Sequence, residues 1–114
     1  MSSKEKAELI REYADDIKAE RIEILDVRAK TSVADFFVVC TGNSDVHVRS
    51  IVGKVEERLL PYKIKPLRTE DGNSGWVLQD YGDVVLHVLL EEKRQFYDLE
   101  TLWNEMKPNP DLAQ

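Results

Sequence analysis

The run Phe36 to Thr41, FFVVCT, constrains this chain more than any other stretch. Successive side chains of a strand point to opposite faces, so an uncharged, β-branched run must be covered on both sides. The next residues, Gly42-Asn43-Ser44-Asp45, are turn chemistry, with Ser44 or Asp45 placed to cap a helix. That helix carries Val48, Ile51, Val52, Val55 and Leu59 on one face and stops near Pro61. A weaker strand follows around Lys65 to Glu70. A strand, a helix and a second strand of one sheet form a parallel, right-handed crossover, so residues 36–70 are expected to do so.

The flanking segments complete one domain. From Ser3 to Glu20, Ile10, Tyr13, Ala14 and Ile17 recur at helical spacing, the mark of an amphipathic helix. Arg21 to Val27 reads as a short strand, with Ile22 and Ile24 on one side and Leu25 and Val27 breaking the alternation. Two more strands, Trp76 to Tyr81 and Asp83 to Glu91, follow the turn residues DGNSG and are joined through Gly82. Phe96, Leu99, Leu102, Trp103 and Met106 line one side of a last helix. The fold class expected is α+β, a mixed five-stranded sheet flanked by helices. At 114 residues a single domain is expected, over 1–106, with 107–114 a disordered tail.

Charge narrows the function. The net charge is −6, and the basic residues are scattered among acids. Nucleic acid is held through its phosphates by a basic patch, so DNA binding is not expected and little direct RNA binding is. A basic protein partner suits this charge better. One cysteine, Cys40, cannot form an internal disulfide, and with two separated histidines it makes no zinc pattern. The start MSSKEKAELI lacks the apolar core of a signal peptide, and no apolar run approaches membrane-spanning length. A cytoplasmic protein with no membrane partner, no metal and no cofactor is expected.

Catalytic chemistry is hard to assemble from these residues. Thr41 to Ser44 could offer backbone amides to a phosphate, as a strand-to-helix turn does in nucleotidyltransferases. Those enzymes also need paired carboxylates for magnesium, and the strand IKPLRTE has no such pair. A capped helix start is the better reading. His47 has no identifiable nucleophile beside it. His87, on the strand face of Val85 and Leu89, reads as a buried structural histidine. Asp80 and Asp83 flank Tyr81-Gly82, where they suit either a cation or a tight turn. The chain is read as a non-enzyme.

The strip GWVLQDYGDVVLHVLLEE has four acids and no lysine or arginine. Trp76, Leu78 and Asp80 share one face of it, an apolar anchor with an acidic rim. Together with VADFFVVCTGNSDVHVRSI and RQFYDLETLW, it resembles the ribosomal silencing factor family, the bacterial and organellar Iojap-like proteins (RsfS). The resemblance runs from the first helix to Trp103. It implies a nucleotidyltransferase-like fold without the catalytic carboxylates. It also implies binding to the large ribosomal subunit through its basic ribosomal protein fourteen. That binding would block joining of the small subunit and repress translation under nutrient limitation, with a role in large-subunit maturation besides.

On this basis Trp76 and Leu78 are expected at the centre of the interface, with Asp80 and Asp83 facing basic groups and Tyr81 and Tyr97 framing the patch. His47 and Arg49 are secondary candidates. Gln79 departs from the apolar residue many relatives carry there. An exposed apolar strip is also compatible with a homodimer when the protein is free. Two rival readings fit some of the same residues. One is a divergent nucleotidyltransferase-like protein binding a nucleotide at Thr41 to Asp45, the other an RNA-binding ribosome assembly factor.

Overall fold

The computed structural model describes residues 1–71 and 75–94. In chain order the elements are α1 (Ser3–Asp16), β1 (Glu20–Asp26), β2 (Phe36–Gly42), α2 (Asp45–Leu59), a 3-10 turn (Leu60–Tyr62), β3 (Arg68–Asp71), β4 (Trp76–Asp80), β5 (Val84–Leu90) and α3 (Glu91–Arg94). The strands form one mixed sheet in the order β1-β2-β5-β4-β3. The expected last helix and tail, Phe96 to Met106 and 107–114, lie outside the described residues.

Apolar content sorts the strands across the sheet. The two uninterrupted apolar runs, β2 and β5, pair in parallel at its centre, with Phe36 opposite Val84 and Gly42 opposite Leu90. Every residue of β2 is buried, and so are all of β5 but Leu90. The charged strands are pushed outward, ERIEILD (β1) to one edge and RTED (β3) to the other. As expected, β2 and β3 run in the same direction, but β5 and β4 lie between them.

Helices α1 and α2 cover one face of the sheet. Ala7, Ile10 and Ala14 from α1 and Ile51, Val55 and Leu59 from α2 pack with Val38, Cys40, Leu86 and Val88. The other face buries Val27, Ala34, Phe37, Val39, Leu78, Val85 and Leu89. Cys40 lies in the helix-side layer, where burial pushes its thiol up to about 12 and leaves it unreactive.

The caps explain the helix boundaries. Ser2 and Glu5 exchange side-chain and backbone hydrogen bonds at the start of α1, a full capping box. Helix α1 stops at Asp16 and not at Glu20, because the chain turns left-handed at Lys18 (φ 64°). There Ala19 N–H donates to the Ala14 carbonyl and Lys18 N–H to that of Asp15, a Schellman arrangement with lysine where glycine is usual. Ser44 Oγ accepts from His47 N–H and caps α2, as its position after β2 predicts. Gly42 is required by close approach: a Cβ there would sit 2.7 Å from Val48 Cγ2.

Candidate partner-binding surface

The β4–β5 hairpin brings most of the candidate residues together. Pairing sets Leu78 opposite His87 and Trp76 opposite Leu89, so Trp76 and His87 are diagonal neighbours on one face. The two rings stack with centroids 5.9 Å apart, and Trp76 Nε1 donates to His87 Nδ1 at 3.2 Å. The Phe37 ring closes the other side of the imidazole at 4.7 Å. Since Nδ1 accepts, the His87 proton sits on Nε2, which is buried with no partner among the described residues. Burial drives the imidazole down to about 3, so it is neutral across the physiological range. His87 is thus the buried histidine expected, held through one nitrogen only.

Trp76 itself is half-buried, which leaves part of the indole accessible at the end of β4. Leu78 and Tyr81 correct the expected picture of an exposed patch: each is only 4% exposed. Leu78 joins the core of the Phe37 face, because β4 is an inner strand flanked by β5 and β3. Tyr81 points to the helix face, where its hydroxyl donates to Gln79 Oε1 at 2.5 Å. Burial holds the phenol well above its usual range. Gln79, 1% exposed, donates onward to Glu56 Oε1 on α2 at 2.7 Å. A polar chain therefore runs from β4 to the helix layer through Gln79.

The two aspartates are engaged within the molecule. Asp80 Oδ1 accepts from the Gly82 N–H at 2.7 Å, which sets the tight turn where Gly82 adopts φ 92°. Asp83 pairs with Lys6 of α1 at 2.6 Å, and its carbonyl accepts from Asp35 N–H at 2.7 Å. Asp80 takes the turn role that the sequence offered, whereas the Asp83 carboxylate is held by Lys6. Both side chains keep some exposure at the rim of the hairpin.

The secondary candidates hold helices in place. His47 Nδ1 accepts from Asn43 N–H at 2.9 Å, so its Nε2 donates to the Ile17 carbonyl at 2.7 Å. The ring joins the start of α2 to the end of α1. Arg49 pairs with Asp71 of β3 at 2.7 Å. Tyr97 lies outside the described residues. No group of three His, Cys, Asp or Glu residues is arranged to hold a metal among the described residues.

Sequence reasoning missed three participants. Lys6 sits four residues before Ile10 on the apolar stripe of α1, and a lone cation there could have signalled a buried pairing. Glu56 gave no such sign. Nor did Arg94, in the charged run EEKR; its guanidinium is buried against Thr41 Oγ1 at 2.9 Å and the Arg21 carbonyl at 3.0 Å.

These features define an α+β domain whose β4–β5 hairpin carries a half-buried tryptophan at one end and two aspartates at its turn. The chain belongs to the RsfS family, described as ribosomal silencing factor during starvation, whose model matches residues 1–114. It is 37% identical to the ribosomal silencing factor RsfS of Halalkalibacterium halodurans, over 92% of this chain and 91% of that one. A mouse protein named mitochondrial assembly of ribosomal large subunit protein 1 is 31% identical, over 84% of this chain and 44% of its own length. Among solved structures, a Chromobacterium violaceum protein superposes with a TM-score of 0.84 at 35% identity, covering 96% of this chain and 92% of the other. No helix among the described residues is long and apolar enough to cross a membrane.

Proposed function

We propose that this protein is a translational repressor that binds the large ribosomal subunit through ribosomal protein fourteen and blocks joining of the small subunit. The observation that carries the reading is the family match across residues 1–114, whose description names silencing during starvation. The net charge of −6 supports a basic protein partner, since complementary charge steers encounter and rejects wrong partners. On this reading the accessible part of Trp76 is the anchor, Asp80 and Asp83 form its rim, and Leu78 and Tyr81 hold the hairpin rigid beneath. Tyr97 is proposed as a further contact to the same partner. The free protein would use the same strip to form a homodimer.

The action is stoichiometric and cytoplasmic, without catalysis. Ser44 caps α2 and His47 bonds to its own turn, so the groups that a nucleotide would need at Thr41 to Asp45 are already engaged. A part in large-subunit maturation is the second reading, favoured by the name of the mouse relative. Co-sedimentation with separated subunits on sucrose gradients tests the proposal. Binding to the large subunit is expected, and inhibition of joining should need one protein per subunit. Binding to the small subunit alone, or inhibition by trace amounts that grows with time, would overturn it.

A further inference from the structure

Lined by none of the β4–β5 hairpin residues, a groove of about 970 Å³ runs between the outer flank of α1 and strand β1. Leu9, Ala19 and Ile22 supply apolar lining. Glu8, Glu12 and Asp15 of α1 line it as well, all exposed and none in a salt bridge to a described residue. Arg11 and Arg21 also reach the groove, but Arg21 is paired with Glu91 at 2.5 Å. Arg11 and the Met1 amino terminus offset part of the charge of Glu5, Glu8, Glu12 and Asp15, and the apolar channel keeps a net negative charge.

A second feature, independent of charge, lies along the same side. Among the described residues β1 is an edge strand, bonded only to β2. Val27 N–H donates to the Asp35 carbonyl, and Leu25 and Glu23 follow in register opposite Phe37 and Val39. Bonding alternates along an antiparallel pair, so Ile24 and Asp26 turn their N–H and C=O groups outward. The opposite edge, β3, is only four residues long and fully exposed, with Arg68 ion-paired to Glu70. Short, charged edges of that kind resist pairing. β1 is longer, at seven residues, and regular from Glu23 to Asp26, with the irregularity confined to Glu20–Glu23.

We infer that the groove between α1 and β1 is a docking site for an extended, lysine- or arginine-bearing polypeptide segment that adds to the sheet beside β1. Backbone bonds to Ile24 and Asp26 supply the strand pairing, and alternate side chains enter the groove. Basic side chains rest their aliphatic stems on Leu9 and Ile22 and bring their charges to Glu8, Glu12 and Asp15. The stretch of α1 from Glu5 to Asp15 is about 15 Å long at the helical rise. That length matches about five residues of strand. The site is separate from the hairpin surface, so it gives the domain a second hold on a basic protein.

The test uses the full chain and an eight-residue probe that alternates lysine and valine, followed by fluorescence anisotropy and backbone amide NMR. The probe should bind at low salt and shift the amides of Ile22, Ile24 and Asp26. A counterpart with glutamate for lysine should bind at least tenfold more weakly. A lysine probe N-methylated at alternate residues should also lose at least tenfold, because it cannot form the strand pairing. Glu8→Lys with Glu12→Lys, both on the solvent side of α1, should lower affinity for the lysine probe at least tenfold while the protein stays folded. Equal binding of the three probes, indifference to the double substitution, or amide shifts confined to residues 76–83 or to β3 would overturn the proposal.

Discussion

The two faces of the sheet are built on different terms. On the helix face, α1 and α2 press an apolar layer against β2, β4 and β5, and the polar side chains that enter are satisfied in a chain from Tyr81 through Gln79 to Glu56. The opposite face is smaller and mixes its chemistry. There an imidazole is stacked between Phe37 and Trp76 with one nitrogen orphaned, and a guanidinium is buried beside Thr41. An unpaired buried donor costs about 1–3 kcal/mol, so that face gives up stability the helix face keeps. The half-exposed tryptophan lies on the costly side. A face tuned only for stability would not hold the Trp76 indole by a buried, under-bonded histidine.

The largest expected effect separates the faces by pH. His87 is held to about 3 in the folded protein, against an ordinary value of 6.5. Its folded value is depressed, so the neutral buried form is stable above 6.5, and stability is lost as the pH falls from there toward 3. The full loss is on the order of 4–5 kcal/mol, a large share of a typical domain's total of about 5–15 kcal/mol. Denaturant titrations at stepped pH should show that loss in the parent and much less of it in His87→Leu. An identical acid profile in the variant would mean that other groups drive acid unfolding.

Truncation comes next. Phe37→Ala on the mixed face and Ile51→Ala on the helix face remove side chains that are both 0% exposed. Costs of about 3–5 and 2–5 kcal/mol are expected from cavity formation. The two can be told apart by Trp76 fluorescence in a Trp103→Phe background, because Phe37 supports the imidazole on which the indole stacks. Only Phe37→Ala should shift the folded-state emission. If Ile51→Ala shifts it equally, the faces are coupled and the contrast between them fails.

Trp76→Ala should cost about 1–3 kcal/mol of stability. That is less than a core aromatic, since the indole is half-buried, but more than a surface change, because His87 loses its donor. If the indole is the proposed anchor, binding to the large subunit should fall by about 2 kcal/mol or more, roughly thirtyfold. Co-sedimentation of the folded variant with undiminished affinity would remove Trp76 from the interface. The smallest effect belongs to the helix layer. Lys18→Gly relieves a left-handed lysine at the end of α1 and should raise stability by about 0.5–1 kcal/mol after the entropy that glycine adds to the unfolded chain. A lower melting temperature would show that the Lys18 side chain contributes more than its backbone strain removes.

Much of the fold was legible from local pattern. FFVVCT and VVLHVLL declare buried strands, and Ser44 declares the start of α2. The end of α1 was hidden because a lysine occupies the position where glycine would have announced the turn. Strand order was also hidden. An apolar run shows that a strand is central but not which strand lies beside it, and β2 finds its parallel neighbour in β5, beyond both β3 and β4. The site was legible as a stretch of chain but not as a surface. Alternation put Trp76 and Leu78 on one face correctly, yet burial of Leu78 depends on β3 closing the far side of β4. The same applies to Lys6, 77 residues from Asp83 and invisible to any window around the strip.

The central position of β5 also governs the order in which the molecule can come into being. Its last residue, Leu90, lies 48 positions beyond its partner Gly42 at the end of β2. At a synthesis rate of 5–20 residues per second, β2 waits roughly 2–10 s for the strand that completes its hydrogen bonds. During that interval the most apolar segment of the chain has α1, β1 and α2 to cover it but lacks its central neighbour. The nascent chain is then at its most exposed to wrong partners on the ribosome, the very particle its family is named for.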